Sequence, residues 1–329
     1  MFKRIHGIAV FLVSASLVYA VLVQFAHGWW LIELLSHFRL YVLLVCVLGT
    51  ALLVLRLAVG QAIAGVLIAC WLLWPALPYV LGASLQGEEV RQPPEAKEGE
   101  MESIRILMWN VGIGNEDAGE AVLDLIREED PDVILLFAVW LDLYRDLFNA
   151  TRHGYEHHVI FPGDGAYGLW MFTRLPLVED RSDEGKVESG SYPRADVVLK
   201  APGGREIRLL GMHPPRPLGP TAAATRDTSL REAARMLAVE ERPVIWLGNF
   251  NCTPFSPRFR EVRATAGVRD TAWGRGPLPS WEPLPLRWFG LPLSHVLIRG
   301  PSWVVLDRRL LARHGSAHRP VLVEIGWPR

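Results

Sequence analysis

Pro243-Val244-Ile245-Trp246-Leu247-Gly248-Asn249-Phe250-Asn251-Cys252-Thr253-Pro254 reads as a buried strand that ends in a polar loop. An apolar run meets a glycine, two asparagines follow, Thr253-Pro254 stops the extended segment, and Ser256-Pro257 opens a short helix. Polar groups at the carboxyl end of a central strand sit where sheet proteins build sites. Taken alone, the same segment also fits an asparagine-rich turn.

The neighbouring segments decide between the two. Residues 104–111 (IRILMWNV), 131–139 (PDVILLFAV), 168–177 (GLWMFTRLPL), 207–213 (IRLLGMH) and 315–321 (GSAHRPV) each join a strand-like run to a polar or small end. In this order the motifs resemble the endonuclease/exonuclease/phosphatase superfamily, which includes pancreatic deoxyribonuclease, apurinic-site endonucleases, inositol polyphosphate phosphatases and bacterial sphingomyelinases. The resemblance spans roughly residues 103–326, and the ordered set is far more specific than any single motif. It implies an α+β domain over residues 103–329, a four-layer α/β/β/α sandwich, with metal-dependent phosphoric ester hydrolysis using Mg²⁺ or Mn²⁺.

The acids that the resemblance leads one to expect are replaced. Gln-Glu after the second strand corresponds to Phe137-Ala138, and Gly-Asp-Phe-Asn to Gly248-Asn249-Phe250-Asn251. An Asp before the late strand corresponds to Ser294, and Ser-Asp-His to Ser316-Ala317-His318. Mg²⁺ takes near-octahedral oxygen ligands, usually with one or two carboxylates. Ala138 offers none and reads equally well as a core alanine at a strand end. Asn249 stands at the general-base position, but an amide has no useful basicity. His318 matches the histidine that contacts the scissile phosphate; Ser294, where its carboxylate should be, offers only a neutral hydrogen bond, and Ala317 replaces the second metal ligand.

Asn110, His213 and Asn251 match retained phosphate-contacting positions, and Ser280-Trp281 corresponds loosely to the family's Thr-Trp. The expected pocket keeps these groups, His318 and His295, although His295 also reads as a satisfied core or loop histidine. Losing a general base commonly costs roughly 10²–10⁴-fold, and losing a Lewis-acid metal several kcal/mol more. The expectation is therefore a domain with little or no hydrolase activity and no metal cofactor of its own. Without four carboxylates the pocket is less repulsive to anions, so a phosphate-bearing ligand is the expected partner. Two other readings stand beside this one: a hydrolase using displaced acids (Asp164, Asp196, Asp270, Glu282 or Asp307), and a membrane-tethered scaffold in which the pocket plays no part. Asp132 reads as a cap at the start of a strand.

The chain has 329 residues, half of them hydrophobic, and a mean hydropathy of +0.19, more apolar than an average soluble protein. The excess lies in the first quarter. Runs at 7–26, 41–55 and 57–81 approach the ~20 residues that cross about 30 Å of hydrocarbon, which predicts a membrane anchor of three transmembrane helices over residues 1–85. A cleaved signal peptide is the other reading of the first run. Trp29, Trp30, Trp71, Trp74 and Tyr79 fall near span ends, as interfacial aromatics do. Lys3, Arg4 and Arg56 on the cytoplasmic side place the following domain outside, in a multi-pass membrane protein with an extracytoplasmic globular part.

Residues 86–102 are rich in Glu, Pro, Gln and Gly and read as a solvated linker separating anchor from domain. A net charge of −1 gives no footprint for nonspecific nucleic-acid binding. Cys46 and Cys70 fall in spans, so Cys252 is left without an intradomain disulfide partner and Cys-rich zinc sites are excluded. Further strands are expected at 104–110, 133–137, 168–173, 194–200, 207–212, 293–298, 303–306 and 320–325. Helices are expected after Asn115 or Asp117, over 141–149, 227–240 and 258–266.

Overall fold

The computed structural model describes residues 2–82, 101–115, 117–140, 147–148, 154–162, 167–183, 192–283 and 289–329. The expected linker over 86–100, most of the expected helix over 141–149, and Asp164 lie outside these residues.

The N-terminal part is helical: α1 (Phe2–Leu22), α2 (Trp30–Ser36), α3 (Arg39–Leu55), α4 (Val59–Leu73) and α5 (Leu77–Leu81). The stretches Lys3–Phe25 and Val59–Leu81 are each apolar and long enough to cross a membrane. The expected span at 41–55 is different. Its helix meets α2 at a 60° bend, and only the bent pair together reaches spanning length.

The sandwich contains β1 (Met101–Asn110), α6 (Ala118–Glu129), β2 (Val133–Phe137), β3 (His157–Phe161), β4 (Leu169–Thr173), β5 (Leu177–Asp180), β6 (Arg194–Lys200) and β7 (Glu206–Met212). It continues with α7 (Pro220–Ala238), β8 (Val244–Asn249), α8 (Pro257–Ala266), β9 (Arg269–Asp270), β10 (Ser294–Arg299), β11 (Val304–Leu310) and β12 (Val321–Pro328). β1 begins inside the expected linker, because Met101 and Glu102 already pair with Pro328 and Trp327. Two six-stranded sheets result, in the orders β11-β12-β1-β2-β4-β3 and β5-β6-β7-β8-β10-β9.

Both sheets are built on one plan. β1 and β2 run parallel with α6 between them in sequence, and β7 and β8 run parallel with α7 between them. A parallel pair needs such a crossover, and an amphipathic helix then covers one face of the sheet. The inward faces meet in the main core, where Ile106, Leu135 and Phe137 of one sheet join Leu209, Leu247 and Val296 of the other. Gly211 lets the sheets approach: a Cβ there would lie 2.6 Å from Leu135 Cδ2. Val122 and Leu125 of α6 pack on Trp109 and Trp170, while Leu230 and Leu237 of α7, with Phe259 of α8, pack on Trp246 and Leu297. This is the four-layer α/β/β/α sandwich of the α+β class.

Helix ends follow local chemistry. Ser256 caps α8 by accepting from the Arg258 N–H at 3.1 Å. Asp130 ends α6 in the left-handed region, at φ 42°. Neither expected cap of α6 acts through its side chain: Asp117 makes no capping bond, and Asn115 donates to the Val111 and His314 carbonyls. α7 begins at Pro220, well before the expected start at 227; proline is tolerated in a first helical turn, where its missing N–H is no loss.

The helical part packs directly on the sandwich, which corrects the expectation of a separated anchor. Ser256 Oγ donates to Glu33 at 2.6 Å, and Glu33 pairs with Arg226 at 3.1 Å. His37 Nδ1 lies 3.0 Å from Thr253 Oγ1. The Tyr41 hydroxyl donates to the Gly290 carbonyl at 2.7 Å and that of Tyr79 to Asp270 at 3.2 Å. Residues of α2, of the start of α3 and of α5 therefore meet the domain.

Candidate functional site

The strand plan gathers the carboxyl ends of β1, β2, β7 and β8 at one edge of the sandwich. Asn110 ends β1, Ala138 follows β2, His213 follows β7 and Asn249 ends β8. These four line one cavity of about 350 Å³, together with Ala317, His318, Tyr167, Trp281, Asn115 and Arg216. Of the sequence-predicted site residues, Asn110, Ala138, His213, Asn249, Ala317 and His318 are thus brought together.

The remaining three sit differently. Ser294 is the cross-strand partner of Asn249, but it is buried beside the cavity rather than in its wall. His318 Nδ1 has no hydrogen-bond partner, so the neutral bond that Ser294 could at best offer is not made at that nitrogen. Asn251 supports the site from behind: its amide donates to the Pro214 carbonyl at 2.8 Å and its backbone N–H approaches Asn249 Oδ1 at 3.3 Å. His295 does not belong to the pocket. Its Nε2 is 2.9 Å from the Cys252 carbonyl, its Nδ1 is 3.4 Å from Asp270, and its ring packs 4.3 Å from that of Phe259. The core reading of His295 is the right one.

Local geometry holds the wall. Ser316 Oγ donates to the Asn110 carbonyl at 2.9 Å and accepts from the His318 N–H at 3.0 Å, clamping β1 to the loop before β12. Trp109 Nε1 donates to the His318 carbonyl at 3.0 Å. Trp281 forms a bridge with His318, which fixes one side of the opening. Gly315 has φ +77°, and a Cβ there would come within 2.3 Å of Asn115 Oδ1. Ala138 and Asn251 adopt φ of 56° and 52°, a conformation unfavourable for side chains other than glycine. Such outliers concentrate where a site over-determines the backbone.

The electrostatics of the cavity are one-sided. Arg216 is exposed in its wall, and none of the described lining residues is an acid. Burial, and then the Arg216 charge, lowers the His213 pKa to about 4. Burial, followed by His213 and Arg216, lowers that of His318 to about 3. Both rings are neutral near pH 7, and each leaves a buried Nδ1 without a partner.

Of the acids considered as substitutes, the four described ones are engaged elsewhere. Asp196 forms a two-pronged pair with Arg208 at 2.8 and 2.7 Å. Asp270 is fully buried among Tyr79, His295 and the Ala272 N–H. Glu282 pairs with Arg313, and Asp307 with Arg309. Asp132 accepts from the Arg105 N–H at 2.7 Å, the capping role expected of it. Among the described residues no cluster of three or more His, Cys, Asp or Glu side chains could hold a metal. The cavity wall does not fit Mg²⁺ or Mn²⁺, which require hard anionic oxygens.

Sequence reasoning missed Arg216, Tyr167 and Asn115. Arg216 lies in the proline-rich 214–220 loop, where no local pattern marks it, and only the fold places it beside His213. Tyr167 directly precedes the motif at 168–177, and its ring centroid lies 6.3 Å from that of His213.

With this arrangement established, comparison with known proteins is informative. A model of the endonuclease/exonuclease/phosphatase family matches residues 108–318. The chain belongs to that family. Solved structures of similar fold include D. rerio TDP2 complexed with single strand DNA product, at 15% identity, TM-score 0.56, covering 68% of this chain and 98% of that one. The human Nocturnin catalytic domain with bound sulfate anion matches at 18% identity and TM-score 0.53, covering 68% and 94% of the two chains. Sphingomyelinase C from Streptomyces griseocarneus matches at 17% identity and TM-score 0.52, covering 68% and 99%. At such identities the likeness concerns the fold. A search of curated proteins returns no match. The family's phosphoesterase-like fold thus ends in a cavity lined by amides, imidazoles and one guanidinium.

Proposed function

We propose that this chain is a membrane-anchored member of the endonuclease/exonuclease/phosphatase family that binds a phosphate group without a metal and hydrolyses it slowly or not at all. The observation that carries the reading is the cavity itself, which has Arg216, two neutral imidazoles and asparagine amides in its wall and no described acid. Arg216 supplies charge-assisted hydrogen bonds to phosphoryl oxygens, and Asn110 and Asn249 can donate from their amides. The neutral rings of His213 and His318 can each donate one hydrogen bond and accept a proton once an anion stands beside them. Asn249, at the general-base position, has no useful basicity, and no carboxylate orients the unpartnered His318 ring, which supports loss of the hydrolytic step.

In this reading Ala138, Asn249, Ser294 and Ala317 occupy the positions of the family's acids, and Asn110, His213, Asn251 and His318 are the remnant of its phosphate site. Residues 1–85 form a three-span anchor, with the bent α2–α3 pair as the second crossing, and the sandwich stands on the extracytoplasmic face. The apolar lengths of the helices support the anchor, and Lys3, Arg4 and Arg56 support the orientation.

The test is calorimetric titration of the full chain in detergent with Mn²⁺ and with glycerol 2-phosphate. The same titrations use a variant carrying Ala138→Glu, Asn249→Asp, Ser294→Asp and Ala317→Asp. The chain should bind the ester and not the metal. The variant should bind Mn²⁺ and hydrolyse a phosphodiester at least about 10³-fold faster. Tight Mn²⁺ binding by the unaltered chain, or no ester binding at all, would overturn the proposal.

A further inference from the structure

A second cavity of about 290 Å³ lies at the seam between the N-terminal helices and the sandwich. Trp74 and Pro75, at the break between α4 and α5, form one wall; Tyr79 and Trp273 form another; Arg260 and Arg263 of α8 supply its charge. Among the described residues its wall contains no acid. The Arg263 guanidinium lies 4.8 Å from the Trp273 ring centroid, and Tyr79 spends its hydroxyl on Asp270.

The two sides of α8 differ in kind. Arg258 pairs with Asp227 at 2.9 Å and with Glu261, and Glu261 also holds Arg231 at 3.2 Å. On the cavity side, neither Arg260 nor Arg263 has a carboxylate partner among the described residues. A third arginine, Arg39, begins α3 at the same seam. It is 4% exposed, its Nε has no hydrogen-bond partner, and it lies close enough to Arg260 for the two charges to repel. Arg260 reaches solvent; partial burial of its head group and then the Arg263 charge disfavour its charged form, yet a guanidinium stays protonated. Like charges set side by side without acids repel one another, and an anion between them relieves that repulsion.

We propose that this cavity binds the phosphate of an anionic phospholipid headgroup, with Arg260 and Arg263 as its ligands and Arg39 behind them. The position favours a lipid over a free ion. The cavity opens beside the apolar surface of α4, where Leu67, Trp71 and Trp74 are exposed at 66%, 56% and 72% and acyl chains can lie. Basic pockets at helix ends in a membrane recognise headgroups by this combination of arginine and interfacial aromatic. The inference rests on the membrane reading above and is independent of the fate of the family's acids.

The experiment uses the full chain in a non-ionic detergent with dioctanoyl phosphatidylglycerol or dioctanoyl phosphatidylcholine as probe, read by tryptophan fluorescence. Phosphatidylglycerol should bind about tenfold or more tightly than phosphatidylcholine. Arg260→Gln/Arg263→Gln should abolish that preference, whereas Arg127→Gln/Lys200→Gln, on remote exposed surfaces, should keep it. Equal affinity for the two lipids, or an unchanged preference in the first variant, overturns the proposal. So does an equal fluorescence response to millimolar inorganic phosphate alone, which assigns the cavity to a free anion. Recovery of the chain in carbonate-washed membranes tests the anchor separately, because the lipid titration is done in detergent.

Discussion

Two clusters of polar side chains lie on either side of the loop that follows β8, and they are built on opposite terms. On the side of the N-terminal helices, Arg226 is 1% exposed and its charge is answered by Glu33 at 3.1 Å and Asp227 at 2.7 Å, with the Asn251 carbonyl at 3.1 Å, while His37 Nε2 beside Glu33 makes no hydrogen bond. On the cavity side, His213 and His318 keep unpartnered nitrogens and Arg216 faces solvent without an acid in the wall. Buried charges are kept only where they are paired, so the first cluster joins the helices to the sandwich. The second leaves its polar capacity open, as a wall does that meets a ligand.

Breaking the paired side should have the larger effect. Glu33→Ala leaves Arg226 with one acid fewer in a buried setting and should destabilise the chain by about 3 kcal/mol, lowering Tm by roughly 6–12 °C; a thermal melt of the detergent-solubilised chain measures it. Arg216→Ala should do the reverse, weakening glycerol 2-phosphate binding by about tenfold or more while shifting stability by no more than about 0.5 kcal/mol. If Arg216→Ala lowers Tm as Glu33→Ala does, the distinction between the clusters fails.

Acidity probes the same contrast. His213 and His318 titrate near 4 and 3 in the folded chain, below the ordinary histidine value of about 6.5. Below about pH 6.5 the unfolded chain takes up protons that the folded one refuses, so stability falls as pH drops toward those folded values. An anion in the cavity favours the imidazolium forms and raises both pKa values. Binding of dimethyl phosphate, whose own charge is constant over this range, should therefore strengthen severalfold from about pH 7 to 5, with proton uptake visible by calorimetry in buffers of different ionisation enthalpy. The smallest effect concerns the backbone: Ala138→Gly relieves the φ of 56° and should stabilise by about 0.5–1 kcal/mol without altering anion affinity.

Much of the sandwich was legible because its central strands are buried on both faces and read as continuous apolar runs. β2 and β6 were located to the residue, and β4 and β7 to within one. The strands that escaped, His157–Phe161, Leu177–Asp180 and the two-residue Arg269–Asp270, are sheet edges, short or half exposed and mixed in polarity, where the periodic signal is weakest. In the site, Asn110, His213, Asn249 and His318 were found because strand ends carry them in a recognisable order. His295 follows Ser294 in β10, and the strand's alternation turns it to the opposite face, into contact with Phe259, as its core reading has it.

Residue types and their spacing by themselves determined the apolar N-terminal helices, the succession of strands and helices, and the ordered motifs whose resemblance to the family implied the layered α/β/β/α fold and marked positions 138, 249, 294 and 317 as lacking acids. These are properties of residue type and spacing, which the chain carries whether folded or not. The tertiary structure decided the rest: that Arg216 crosses from a proline-rich loop to charge the cavity, that the nearby acids are already paired, and that Glu33, His37 and Tyr79 fasten the helices to the sandwich. Pairing and burial depend on distances between residues far apart in sequence, and only the folded chain sets those distances.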